Sequence, residues 1–161
     1  MGGDRPYPYR GYLMTWNIYL AGEIHSDWRD KIIDGSAKEN LPVVFSSPVT
    51  DHAASDNCGP AFLGSESDGF WKDHKSAKIN AIRTRTSIGQ ADVVVVRFGE
   101  HYRQWNAAFD AGYAVAMGKP LVTLHDADLQ HALKEVDATA LAVASTAQQV
   151  VDILNYVINQ K

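Results

Sequence analysis

The chain holds a single cysteine, Cys58, in 161 residues. An intrachain disulfide is thereby excluded, and the fold must be held by its core. Long apolar runs are also missing: no stretch approaches the roughly 18 residues of a membrane-spanning helix. Charge of one sign is not in excess. The formal charge of −4 argues against a generic nucleic-acid or membrane-surface binder. With no leader pattern visible, a cytoplasmic protein is the expectation. Phosphate-cradling glycine loops are absent in both common forms, G-x-G-x-x-G and G-x-x-x-x-G-K-[ST], so neither dinucleotide cofactors nor P-loop chemistry is expected. No G-x-S-x-G elbow presents a serine nucleophile.

What is present is an ordinary globular composition, 45% apolar and 21% charged, in a length that suits one domain with a sizeable core. Residues 1–13 carry Gly, Pro, Tyr and Arg without periodicity and read as a disordered tail or cloning remnant, with Met14 a plausible natural start. Residues 14–161 read as a single α/β domain. The clearest stretch is 90–125, QADVVVVRFGEHYRQWNAAFDAGYAVAMGKPLVTLH. Two apolar runs, 93–96 and 121–124, flank a helix-like segment, 104–117, closed by Gly118. That is a β-α-β unit whose strands are parallel and buried on both faces.

The same alternation extends in both directions. Strands are expected at 16–21, 43–46 and 138–144, and helices from Ser26 to about 39, at 70–89, at 126–135 and at 148–159. Ser26 is the expected cap of the first helix, with Arg29 rather than an acid three residues on. Residues 47–69 show neither period and are expected to be a long connection, which in compact domains is usually functional or disordered. Five strands alternating with helices favour a flavodoxin-like or Rossmann-like three-layer sandwich. Its five-stranded parallel sheet would have the order 2-1-3-4-5.

In such sheets ligands bind beyond the carboxyl ends of the strands, and polar residues gather there. Glu23 and His25 follow Gly22 at the end of the first strand, where they could act as acid and base or form a solvated turn. Asp110 shares a helix face with Asn106, Tyr113 and Met117. On an otherwise apolar, largely buried helix it is either a nucleophile or sugar-hydroxyl acceptor, or a buried acid tied to its neighbours. The 47–69 segment contributes Asp51, His52, Ser55, Asp56 and Asn57. Asp51, His52 and Asp56 have the donor types of a metal site but no recognised ligand spacing, so no metal is assigned. Arg97 and the basic residues of the 70–89 helix (Lys72, Lys75, Lys78, Arg83, Arg85) could meet a phosphate or be solvated charge. His125 and Asp126 follow the fourth strand on the same edge. Cys58 could be a reactive thiol, though only His52 stands near it in sequence.

The segments IYLAGEIH, SPVTDHAASDNCG, FWKDHKSAKINAIRTRT, ADVVVVRFG and QWNAAFDAGYAVAMGKP closely resemble the YtoQ family of bacterial proteins, from Trp16 nearly to the end. A wider frame, IYLAG, then AD with an apolar strand, then acid-x-GYA-x-x-x-GKP, looks like the nucleoside 2-deoxyribosyltransferase superfamily. That resemblance implies cleavage or exchange of the bond between a base and a deoxyribose. A helix-borne Glu attacks the anomeric carbon, and a second acid assists the leaving base, in the manner of a retaining glycosidase. It also implies a homo-oligomer, a nucleoside- or nucleotide-like ligand and no cofactor.

Carried over by position, Tyr19 matches the superfamily's strand-one tyrosine and Asp110 its nucleophile. Asp110 is one methylene shorter than the superfamily's Glu, so its oxygen stops about 1.5 Å short. Thr84 and Gln104 stand where the superfamily has two further acids. The expectation is an N-glycoside hydrolase or transferase with a rearranged acid–base set drawn from Glu23, His25, His52 and Asp56. Tyr19, Gly22, Asp51, Arg97, Trp105, Asn106, Tyr113 and His125 would contribute to substrate binding. The alternative is a binding or sensor module for the same ligand class, without turnover.

Overall fold

The computed structural model describes residues 14–101 and 104–159; the expected tail at 1–13 lies outside them. Five strands form one parallel sheet in the order β2-β1-β3-β4-β5, made of β1 (Trp16–Gly22), β2 (Val43–Ser46), β3 (Val93–Arg97), β4 (Leu121–Leu124) and β5 (Ala142–Ala144). The helices are α1 (Trp28–Lys38), α2 (His52–Leu63), α3 (Gly69–Gln90), α4 (Trp105–Ala116), α5 (Gln130–Asp137) and α6 (Ala147–Asn159), with a 3-10 turn at Ala127–Leu129 before α5. The flavodoxin-like order expected from the alternation of elements is the one adopted.

The continuous apolar runs are explained by what each strand face meets. Side chains alternate across a sheet. Ile18, Leu20, Val93, Val95, Val122 and Leu124 point to one layer, where Trp28 and Ile32 of α1 and Val150, Val151 and Leu154 of α6 cover them. Tyr19, Ala21, Val94, Val96 and Leu121 point to the other, against Ile88 of α3 and Ala107, Ala111 and Ala114 of α4. Each fully buried Val or Leu contributes roughly 1.5–3 kcal/mol. Since both layers draw on the same strands, a polar residue within 93–96 would have no solvated face to use. The three small residues of α4 let its backbone approach the sheet closely.

Residues 47–69 are not an irregular connection. Asp51 caps α2 by accepting from the Ala54 amide at 3.0 Å, and Asp68 caps α3 by accepting from the Trp71 amide at 3.3 Å. The expectation failed because α2 carries Gly59 and Pro60, which disguise its helical pattern. Gly59 has a structural reason. A Cβ there would lie 2.5 Å from the Ser76 amide nitrogen, so only glycine lets α2 cross α3 this closely. The crossing is fastened by Ser76, whose hydroxyl donates to Asp56 O (2.6 Å) and accepts from Gly59 N (3.0 Å). Asn80 reaches Ser55, and Cys58 lies within the same contact, its thiol 3.2 Å from Ser55 O. Packing within the helix pair accounts for this cysteine.

Two boundaries also move. Asp27, not Ser26, stands at the start of α1 and provides no side-chain cap; Ser26 instead donates to Glu23. The last strand is confined to Ala142–Ala144, residues 138–141 being the turn that leads into it.

Candidate active site

The strand order reverses direction between β1 and β3, and the crevice of a doubly wound sheet opens there. Gly22 closes β1 at φ +100°, and a Cβ at this position would stand 2.1 Å from the Arg97 carbonyl oxygen. The chain therefore turns off the sheet in contact with β3, and the Glu23 amide donates to Arg97 O at 3.0 Å. Arg29, the second residue of α1, fastens the same strand end. Its guanidinium donates to Leu20 O (3.0 Å), Glu23 O (2.6 Å) and Gly22 O (3.0 Å) and lies over the Trp28 ring at 4.5 Å.

Beneath this turn two polar groups lack partners. Tyr19 is fully buried, and its hydroxyl makes no hydrogen bond. Burial pushes its pKa up to about 12. Thr84 is near enough to oppose that shift, but the geometry falls outside a hydrogen bond. Asp110, on the second turn of α4, lies within the electrostatic range of Tyr19. Half-buried and without an ion pair among the described residues, it is pushed up to about 6 by desolvation. A buried phenol with no hydrogen bond and a desolvated carboxyl with no ion pair among the described residues, within electrostatic range of each other, are groups to which a ligand can supply contacts.

The neighbouring residues frame this pair. Gln104 stands at the start of α4 and spends its whole amide on the preceding loop. Its Oε1 accepts from the Gly99 amide (3.0 Å), and its Nε2 donates to His101 O (3.0 Å) and Gly99 O (3.3 Å). The position at which the superfamily resemblance implies an acid is a loop clasp here. Glu23 is nearly buried, and its carboxylate accepts from Ser26 Oγ at 2.5 Å and from the His25 amide. Burial raises its pKa, the bonds from Ser26 and His25 lower it by more, and it stays below the ordinary carboxylate range.

The remaining expected residues divide into three groups. Asp51, His52 and Asp56 lie at the start of α2, exposed, with His52 Nε2 3.4 Å from Asp56 Oδ2. They make no metal cluster: no group of three or more His, Cys, Asp or Glu suited to a metal occurs among the described residues. On the far side of β3, Arg97 pairs with Asp126 at 2.9 Å. His125 is buried there, with Nε2 2.9 Å from Asp137 Oδ2 and Nδ1 2.9 Å from Asp126 O; Thr123 donates to Asp137 Oδ1 at 2.8 Å. This network ties β4 to α5. The third group lies along α4. Asn106 is exposed, and Tyr113 stacks on Phe109 with Arg85 5.9 Å from its ring.

The helix expected to be largely buried is not. Trp105 is 71% exposed and Phe109 58%, so α4 has a bare apolar face opposite its alanine face. Arg29, which holds the end of β1, is not among the residues expected at the site. Its place in the sequence signals only an incomplete capping box, and its partners are backbone carbonyls that no side-chain pattern reveals.

A family model described as "Nucleoside 2-deoxyribosyltransferase YtoQ" matches residues 19–158. The protein of Bacillus subtilis (strain 168) described as "Uncharacterized protein YtoQ" is 41% identical over 143 residues, covering 89% of this chain and 97% of that one. Among solved structures, a conserved protein from Enterococcus faecalis V583 superposes with a TM-score of 0.61 at 15% identity, over 89% of this chain and 99% of that one. A 2-deoxyribosyltransferase from Bacillus psychrosaccharolyticus does so with a TM-score of 0.52 at 18% identity, over 84% and 90%. At these identities the two structures speak for the fold.

Proposed function

The chain belongs to the nucleoside 2-deoxyribosyltransferase YtoQ family, and we propose that it is an N-glycoside hydrolase or transferase acting on a nucleoside, a nucleotide or a related ribosyl compound. The observation that carries the reading is the Tyr19–Asp110 pair, a buried hydroxyl with no partner beside a desolvated carboxyl with no partner. In the reaction, an Asp110 oxygen forms a bond to the anomeric carbon as the bond from that carbon to the base nitrogen breaks. The departing base keeps the electron pair and takes a proton. Water, or a second base, then releases the sugar from the ester. Tyr19 and Asn106 orient the sugar and the nucleophile. Glu23, ionised in its turn, is our candidate for accepting a proton from water. His25 beside it and the His52–Asp56 pair are our candidates for delivering one to the base.

Support for the homo-oligomer comes from the bare apolar surface of α3 and α4, where Ile82 is 70% exposed alongside Trp105 and Phe109. No helix among the described residues is long and apolar enough to cross a membrane.

The test is release of free base from a panel of nucleosides and nucleoside monophosphates, followed by chromatography. Wild-type protein is expected to release base from at least one compound, and Asp110→Ala to lose at least about a hundredfold in rate. A panel with no release, but with one compound that raises the melting temperature, would replace the enzyme by a ligand-binding module of the same fold.

A further inference from the structure

Two arginines line a cavity that the chemistry at Asp110 does not use. It measures about 370 Å³ and opens at the carboxyl ends of β1 and β2. Arg29 of α1 lines it on one side and Arg83 and Ser87 of α3 on the other, with Ser46 and Ser47 at the end of β2 between them. Neither arginine has a carboxylate within ion-pair distance among the described residues. For Arg29 this is costly, because it is only 8% exposed and burial pulls its pKa down to about 10, with Glu23 and Asp30 only partly offsetting the loss of water.

Its five N–H groups are also not all spent. Three bond to carbonyls of residues 20, 22 and 23, which leaves two. Arg83 spends none among the described residues. The Ser46 and Ser87 hydroxyls make no hydrogen bond among the described residues either, and the Ser47 hydroxyl donates only to the neighbouring Pro48 O. The larger groove between α1 and α6 differs: of its three cations, Lys31 and Arg97 are paired, with Asp27 and Asp126, and Lys38 shares the groove with a further carboxylate, Asp34.

We propose that the Arg29–Arg83 cavity is a subsite for a phosphoryl dianion. The donor set fits that group. Two cations answer a charge near −2, and the free N–H and hydroxyl donors exceed what a carboxylate could occupy. Phosphate offers strong acceptor oxygens in several directions and suits arginine forks. The subsite adjoins Asp110 through Tyr19: Arg29 and Arg83, which line the cavity, and Asp110 all lie within electrostatic range of the Tyr19 hydroxyl. A phosphate and a glycosidic carbon of one small molecule can therefore be held together. Where the proposal rests on the glycosidic reading, it names the substrate class as phosphorylated nucleoside-like compounds. The anion subsite itself stands without turnover.

The experiment is calorimetric titration of the full chain with inorganic phosphate, with nucleoside monophosphates, and with the matching nucleosides in the presence and absence of phosphate. Wild type, Arg83→Ala, Arg83→Lys, Lys78→Ala and Asp110→Ala are compared. Arg83 and Lys78 are both exposed on α3, so these variants should fold; Arg29→Ala is avoided because it would also release the end of β1. Phosphate-bearing ligands are expected to bind wild type and Asp110→Ala. They should bind Arg83→Ala between about ten- and a hundredfold more weakly, with partial recovery in Arg83→Lys and no change in Lys78→Ala. Monophosphates that outbind nucleosides, with inorganic phosphate as competitor, place the phosphoryl group on the substrate; nucleosides that bind only with free phosphate make it a separate ligand. Either pattern supports the subsite. No phosphate binding by wild type, or equal losses in Arg83→Ala and Lys78→Ala, overturns it and leaves the base-release test untouched. Conversely, phosphate binding with no base release from any compound refutes the glycosidic chemistry and leaves the subsite standing.

Discussion

Protonated Asp110 is cheaper for the fold than ionised Asp110, because burial is the cause of its raised pKa. The sign follows directly. From the ordinary 3.8 up to about 6 the folded chain holds a proton that the unfolded chain has released, so stability falls as pH rises through this interval and stays reduced above it. Replacement by an uncharged isostere removes the penalty. Asp110→Asn is expected to be more stable than wild type by on the order of 2 kcal/mol at pH 7.5. The gain should shrink to a few tenths of that near pH 4, read by denaturant unfolding at the two pH values. The same group predicts catalysis. In the proposed reaction Asp110 attacks as the carboxylate, so kcat/KM should rise with pH through about 6, the opposite direction from stability. Asp110 and Tyr19 could be found from the sequence because a family frame surrounds them. Arg29 could not, because its role consists of bonds to main-chain oxygens six to nine residues away.

At the scale of elements, legibility followed how many faces an element buries. β3 and β4 are sandwiched between two helical layers, so every residue from 93 to 96 is apolar, and the runs announce themselves. α2 packs mainly on α3, through a glycine, a serine and an asparagine, and has almost no apolar stripe to read. The turn after β1 is the element on which the site depends. Gly22→Ala would place a methyl group 2.1 Å from the Arg97 carbonyl oxygen at a φ of +100°, a conformation that itself costs about 1–3 kcal/mol outside glycine. We expect a loss of about 3 kcal/mol or more in unfolding free energy. The carbonyl groups that Arg29 holds would shift, and with them the mouth of the cavity. Deletion of the Ser76 hydroxyl, by contrast, should loosen only the α2–α3 pair.

Across the whole molecule the asymmetry lies between the two helical layers. Trp105 and Phe109 on α4 and Ile82 on α3 are mostly exposed, and all belong to the layer that carries Asp110. A second copy seated there would cover this apolar face close to the site. The double variant Trp105→Glu and Phe109→Glu is therefore expected to run as a 17.7 kDa monomer where wild type runs as an oligomer, by size exclusion with light scattering. It should keep its secondary structure, since neither side chain belongs to the buried core.

The strand order also fixes when the protein can become itself during synthesis. β1 leaves the ribosome first, but it is flanked by β2 and β3, and β3 pairs on its other side with β4. Until residues 121–124 emerge, the valines of β3 present an unpaired edge, which is a template for other nascent chains. Tyr19, Arg83 and Asp110 come from three segments made at widely separated moments. No fragment ending before α4 can hold the candidate site, and a stalled chain is an aggregation hazard well before that site exists.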